Sequence, residues 1–447
     1  MDGSLEKRLG DLYWSNADII SESAPVLNAP RADALVAFNL TGVPARGSAG
    51  GDRYHYTGLR EAFGAEYESY FTPSYASASV RHLDLEGGRA GFMNGFHSGA
   101  EPLTETPEGV LYGSLAAGGG RPPDFFRTAA AAVRYPDLIG RYYNRLSGEH
   151  GDALSALNTV FAQDGAFVYV PRGVRVARPL LVTFAHYSED EALRCFARSL
   201  FVFERDSEVQ LVIDDRSEGD GAALDCQVRE LFVGSGARVE LVELLRLGDR
   251  STLVSSSFAE QWESSRLHTL SVALDGRLVR SNQQVRLLGS GAENHTNALM
   301  LCGAGEHIDF NTSLEHAAAD CTSYELVKAI AADGGTGVFG GRIYVAQDAQ
   351  RTQAYQQNNN LLLGDAAHVY SKPQLEIYAD NVKCSHGATV GRLSAEALYY
   401  MRQRGLSDRD ARRLQMFGFA NQVIEKIPVE GLTGTIEELA AAKIDRM

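Results

Sequence analysis

Between about Ala166 and Gly391 the chain alternates apolar and polar residues in steps of two, as in Val209, Leu211 and Ile213 or Leu270, Val272 and Leu274. A two-residue period puts successive side chains on opposite faces and predicts β-strands. Glycines punctuate the gaps at Gly219/Gly221, Gly234/Gly236, Gly248, Gly276, Gly289/Gly291 and Gly303/Gly305. Successive marks stand about 14 residues apart, with one beat missed near Trp262. Local sequence recurs as well, in VGSGARVE, LGSGAENH, CGAGEHID and LGDAAHVY. A fixed period of apolar run, turn and apolar run marks a stacked repeat, whose units bury their faces only against neighbours. The pattern predicts a β-solenoid with about two strands per coil. A β-sandwich or a propeller is the alternative, although propeller blades repeat at about 40–50 residues.

Both flanks carry helical spacing. In the first 150 or so residues, Leu138, Ile139, Tyr142, Tyr143 and Leu146 fall three and four apart within Phe125–Leu146, and Thr41–Tyr54 is a Gly-rich loop. After Gly391, Ser394 is placed to cap a helix ending at Gly405, and Ser407 with Asp410 opens another. Ala411, Leu414, Phe417, Ala420, Ile424 and Ile427 then form one apolar face, and Pro428 closes it. Thr435 and Glu438 are placed to open a last short helix. The chain therefore divides into a mainly helical region over 1–150, a solenoid over 151–391 and a helical domain over 392–447. Such a terminal domain is expected to cover an open solenoid end or to offer a face to a partner.

Composition narrows the function. The 447 residues are 44% hydrophobic and 22% charged, enough for a large core, with a formal net charge of −15. Nucleic acid and anionic membranes select basic surfaces, so neither is expected as a partner. The N-terminus lacks a signal-peptide core and no run suffices to span a membrane. Five cysteines, Cys195, Cys226, Cys302, Cys321 and Cys384, are scattered without a CxxC. That usage fits reduced thiols in the cytoplasm.

The stretch KCSHGATVG, Lys383–Gly391, holds the densest chemistry. On an extended strand Cys384 and His386 share one face, and Lys383 and Ser385 the other. Thiolate and imidazole together suit zinc, copper or an iron–sulfur cluster, and Lys383 is expected to favour the thiolate. A buried core cysteine and a hydrogen-bonded structural histidine are the plainer readings. A nucleophilic Cys–His pair fits less well, because side chains two apart on a strand run parallel. Structural zinc and cluster sites take about four protein ligands. Two are supplied here, so the rest converge from elsewhere in the fold or come from another molecule.

Other polar positions carry weaker signals. His295, His307, His316 and Cys321 alternate on predicted strands and would line one face, as ligands or as a polar ladder. Gln356–Asn360 reads as structural amide ladders. No GxxxxGK[ST] loop occurs, so the chain is not expected to bind a nucleotide.

Three blocks give the chain a resemblance: Asp348–Leu414, which contains KCSHGATVG; Leu157–Val182; and GDRYHYTGLREAF, Gly51–Phe63. Together they resemble the SufB/SufD family of iron–sulfur cluster assembly proteins, and the SHGATVG form is similar to the SufD branch rather than the SufB branch. The resemblance implies a right-handed parallel β-helix between helical terminal regions. It implies a non-catalytic scaffold in a complex with SufB and two copies of the SufC ATPase. It places Cys384 and His386 at the SufB interface, where a transient iron–sulfur cluster is built. The C-terminal helices, through Leu398, Leu414, Phe417 and Ile424, would meet the ATPase. A homodimer acting alone, as a SufB-like scaffold, and a carbohydrate-active β-helix enzyme are the alternatives. The chain departs from the family pattern at Gly340, in LEHAAADCTS (Leu314–Ser323) and in the loop before Tyr54.

Overall fold

The computed structural model describes residues 5–45, 51–69, 71, 80–116, 130–189 and 191–447. Its centre is a parallel β-solenoid of about 8 turns built from two sheets, one of 12 strands and one of 10. Pairing joins every second strand. Thr322–Ala331 lies in parallel register between Glu293–Cys302 and Gln353–Leu362, in the second sheet. The intervening strands, His307–His316 and Thr336–Val345, pair with each other in the first sheet. The glycine marks fall at the corners. Gly236, Gly291, Gly305 and Gly334 all take positive φ there. The missed beat near Trp262 is filled by Ser264, at φ 54°. A small polar residue tolerates the left-handed turn at some cost, so the turn persists without its glycine.

Alternate residues of both sheets point into the solenoid. Much of that interior is apolar, through Leu211, Val239, Leu267, Val285, Leu314 and Ile343. It also holds charge. Arg229 donates to Asp215 at 2.5 Å, to Gln227 at 2.5 Å and to Glu243. A buried guanidinium is tolerable only with paired acceptors such as these.

The helical flanks depart from expectation in three ways. Strand structure begins well before Ala166: Glu68–Ser69 pairs with Leu193–Cys195, Gly88–Met93 with Leu180–Tyr187, and Leu111–Ser114 with Ala166–Val170. The helical pattern up to Leu146 breaks into Ala131–Arg134, Pro136–Tyr142 and Arg145–His150, since Asn144 adopts φ 59°. Residues 125–129 of that stretch, like 46–50 of the Gly-rich loop, lie outside the described residues. The last helix starts at Leu432 behind Gly431, so Thr435 and Glu438 sit inside it rather than at its cap.

The C-terminal domain does not cover the open end. Helices Asp408–Ile424 and Leu432–Ile444 lie against the outer face of the second sheet. There Met416, Ala420, Val423, Ile424, Ile436 and Ala440 pack with Val242, Leu270, Leu299 and Ile330. Lys443 fastens the last helix to two solenoid turns, with Nζ 2.9 Å from Asp275 Oδ1 and 2.7 Å from Glu306. His368–Ile377 and Lys383–Gly391 therefore end their sheets with one edge unpaired among the described residues.

The interior histidine His316 gives a pH test of this core. It is fully buried, with Nε2 2.9 Å from Ser323 Oγ, and burial lowers its pKa to about 4. The unfolded chain then binds the extra proton between about pH 6.5 and 4, so stability falls as pH drops through that window. The loss at pH 5 relative to pH 7.5 is about 2 kcal/mol from this group alone. The fall in urea-derived unfolding free energy from pH 7.5 to pH 5 should be smaller by about that amount in His316→Gln than in the unsubstituted protein.

Candidate functional site

Cys384 and His386 sit on the last strand of the second sheet, Lys383–Gly391. Register settles which way they face. Cys384 stacks on Ala354 and His386 on Gln356, both of which are buried inside the solenoid. The two donors therefore share the inward face, with Lys383 and Ser385 on the other side. Because no further turn follows, that face stays open. Cys384 is half-buried at the margin of the core and His386 is exposed. Beneath His386, Gln356 donates to Glu325 at 2.6 Å, and burial raises the Glu325 carboxyl towards its neutral form.

Two expectations fail here. Lys383 cannot favour a Cys384 thiolate, because it projects from the opposite face; burial instead pushes the thiol up, offset in part by a backbone hydrogen bond at Ala354. Nor do His295, His307, His316 and Cys321 share a face. His295 is outside the second sheet, with Nε2 2.6 Å from Glu293. His307 is beneath Thr57 at 2.9 Å, on the first sheet. His316 is interior, and Cys321 is buried with Sγ 3.3 Å from the Gly289 carbonyl oxygen. Among the described residues no three His, Cys, Asp or Glu side chains converge as a metal site. The amide run is structural, but as a pair along one strand: Asn360 donates to Asn358 at 2.6 Å and to the Thr389 carbonyl at 3.1 Å.

A groove of about 840 Å³ runs along the outside of the second sheet and ends at Ser385–Gly387. Its floor is a column of rings, His268, His295, Tyr324 and Tyr355, with centroids 5.7, 5.1 and 5.4 Å apart. His268 Nδ1 lies 2.9 Å from Glu240, and the Asn297 amide donates to its Nε2. These imidazoles are committed to neighbours. The column is a side-chain ladder of the kind parallel stacking produces.

The expected partner-contact residues separate. Ile424 is fully buried against the sheet and cannot meet a partner. Phe417 is half-buried and packs into the same seam, and Leu398 is half-buried. Leu414 is 50% exposed, and Tyr399 and Tyr400 on the preceding helix are 66% and 59% exposed. The buried stripe runs through Met416 and Val423, which the three-and-four spacing from Ala411 steps over.

Comparison with known proteins gives this geometry a family. The profile described as "SUF system FeS cluster assembly, SufBD core domain" matches residues 186–419, and "SufBD protein N-terminal region" matches 3–182. The chain belongs to the SufBD family. Among its curated relatives, the iron–sulfur cluster assembly protein SufD of Escherichia coli is 34% identical over 288 residues, 62% of this chain and 66% of the relative. The SufD of Bacillus subtilis is 29% identical over 320 residues, 70% of this chain and 72% of the relative. The SufB of Bacillus subtilis is 24% identical over 312 residues, 68% and 66%. The chain thus spans just under two thirds of the first relative's length.

The SufBD core family is described as belonging to the SUF system of iron–sulfur cluster assembly. The fold also gives the block Gly51–Phe63 a structural meaning. Tyr54 lies against Arg280 at 4.3 Å, Tyr56 stacks on Tyr370 at 4.3 Å, and Thr57 bonds His307 and Asp309. The block straps the first sheet up to its last turn. At the departure Gly340, a Cβ would stand 2.5 Å from the side-chain Nδ2 of Asn311. Missed in the sequence were the exposed Tyr399 and Tyr400; two adjacent tyrosines on a short helix, at least one of them off the packed face, were the available signal. Of the five cysteines, four are buried and Cys384 is not. A thiol reagent should therefore titrate one cysteine in the native protein and five after denaturation. The Cys384 rate should rise steadily with pH beyond that of a free thiol, and Lys383→Ala should leave this profile unchanged.

Proposed function

We propose that this chain is a non-catalytic scaffold subunit of the cluster assembly system. Its last solenoid turn holds Cys384 and His386 as half of a building site for a nascent iron–sulfur cluster, and a SufB-type partner supplies the remaining ligands. The observation that carries this reading is the pairing of a thiol and an imidazole on the one inward face that no further turn covers. Both unpaired strand edges beside them offer main-chain donors and acceptors to a second chain. A thiol held above its usual pKa stays protonated until a metal displaces the proton, so the half-site is quiet until iron arrives. A site split between two chains is loosened by separating them, which suits transient assembly rather than storage.

The SufC ATPase is the second partner in this reading. It docks on the exposed face formed by Tyr399, Tyr400 and Leu414, with Leu398 and Phe417 beneath. Its nucleotide cycle then moves the helices and alters the interface at the last turn. Because the open edges are also compatible with a second copy, a homodimer is the alternative occupant of that end. Native mass of the chain with and without SufB separates the two.

In the reconstituted complex, His386→Ala should lower cluster formation, followed by visible absorbance under anaerobic iron and sulfide, by about tenfold or more. An intact complex with undiminished assembly removes His386 from the site. Leu414→Glu should weaken co-purification with the ATPase by about tenfold or more while leaving the thermal midpoint unchanged. Retained binding moves the dock elsewhere.

A further inference from the structure

The strand that carries Cys384 and His386 ends at Gly391, and only Arg392 and Leu393 separate it from Ser394. Ser394 caps the next helix, and its Oγ accepts the Ala397 N–H at 3.2 Å. In a capping box the third helical residue is Glu or Gln and accepts the N–H of the cap residue. Here that residue is Ala397, which has no side-chain acceptor. The role is filled from the neighbouring helix. Gln415 Oε1 accepts the Ser394 N–H at 2.9 Å, and Gln415 Nε2 donates to the Ser394 carbonyl at 3.2 Å. One amide therefore grips both polar groups of a single backbone residue. Gln415 also follows Leu414, the exposed apolar residue of its helix.

The helix that bears Gln415 is seated on a second feature. The seam beneath it is hydrocarbon except at Lys328, which is in register with Leu299 on one side and Asn359 on the other. Lys328 is 1% exposed. Its Nζ lies 3.1 Å from the Phe419 carbonyl oxygen, 2.5 Å from Gln422 Oε1 and 3.8 Å from the Phe419 ring centroid. These partners are dipoles aimed from one turn of the helix; burial lowers the Lys328 pKa to about 8, and the nearby Glu425 charge opposes that fall. The next residue in its row, Asn359, accepts from Thr389 Oγ1 at 3.0 Å, on the Cys384 strand itself. The strand Lys383–Gly391, like His368–Ile377, is paired on one side only among the described residues, so fewer main-chain bonds hold it than hold an inner strand.

We infer that Gln415 is the positioning residue that couples the ATPase-docking face to the cluster half-site, by gripping Ser394 and so the end of the strand that carries Cys384 and His386, with Lys328 as the seat on which the helix turns. This rests on the reading above and adds to it the element that moves. A shift of Leu414 carries Gln415 with it. Gln415 draws Ser394, and the terminal strand follows through three covalently linked residues.

Cys384 is the reporter, since the other four thiols are buried. In the complex of this chain with SufB and SufC, maleimide labelling of Cys384 is read by mass spectrometry with and without a non-hydrolysable ATP analogue. The unmodified complex should show a nucleotide-dependent change in labelling rate of about fivefold or more. Gln415→Ala should remove that change while the ATPase still co-purifies and the rate without nucleotide is retained. Gln415→Glu keeps the acceptor for the Ser394 N–H but loses the donor to its carbonyl, and should restore part of the change. Lys328→Met should reduce the response as well, and the double variant should be no worse than Gln415→Ala. If the unmodified complex responds and Gln415→Ala responds equally, the coupling role is overturned and the scaffold reading stands. If the unmodified complex does not respond to nucleotide, the ATPase-driven reading fails and the coupling with it.

Discussion

A parallel coil can bury its inner face only if another coil follows. Every turn of this solenoid from Glu208 to Gln353 obeys that constraint, because each strand lies in register between its neighbours two places before and after. The last turn cannot. Its inward residues project over Ala354 and Gln356 into space that the next coil would have filled. In most solenoids a terminal cap hides such a turn. Here the C-terminal helices are spent on the flank of the second sheet. The end is left open, and its residues include a thiol and an imidazole rather than the leucines of earlier turns.

The same stacking explains how the interior tolerates charge. Arg229 meets Asp215 and Glu243 from neighbouring turns, and Ser271 and Gln283 satisfy the second oxygen of Glu243. Removing one member would strand the others without water, which is the costly case for a buried ion pair. Such a network fixes register, because a strand slipped by one residue would turn each of these groups to the outer face. Outside, the same regularity makes ladders: the ring column from His268 to Tyr355 arises because residues in register stand on one another, whatever their chemistry.

Much of this was legible in the sequence. The glycine beat marks the corners, where backbone geometry admits few residues, so it survives even where Ser264 replaces a glycine. The Cys384–His386 face followed from the two-residue period alone. What the period cannot carry is direction. It places His295, His316 and Cys384 on faces without saying which face is inside, and that depends on how two sheets close on each other. The helical flanks were less legible for a related reason. The face that Met416, Ala420, Val423 and Ile424 present to the sheet is set by the packing angle, and Leu414 is apolar without belonging to it. The strap from Tyr54 to Thr57 and the grip of Gln415 on Ser394 join residues far apart in sequence, through polar contacts that leave no periodic trace.

In the scaffold role proposed above, the open turn and the flanking helices are one device rather than two. A half-site needs an edge that a partner can reach, which forbids a cap. Exposed edges invite indiscriminate pairing, which the polar and charged residues of the last strands oppose: Lys372, Gln374, Glu376, Lys383 and His386 stand beside the exposed Tyr370, Ile377 and Val390. With the end kept free, the proposed control comes from the side, where the helices lie, seated on Lys328 and tied to Ser394. Stability is concentrated in the inner turns, where every strand has two neighbours. Freedom is greatest in the last strand of each sheet, with one. The proposed half-site, which would both hold a ligand pair in register and yield it, needs that gradient, and parallel stacking supplies it without any residue dedicated to flexibility.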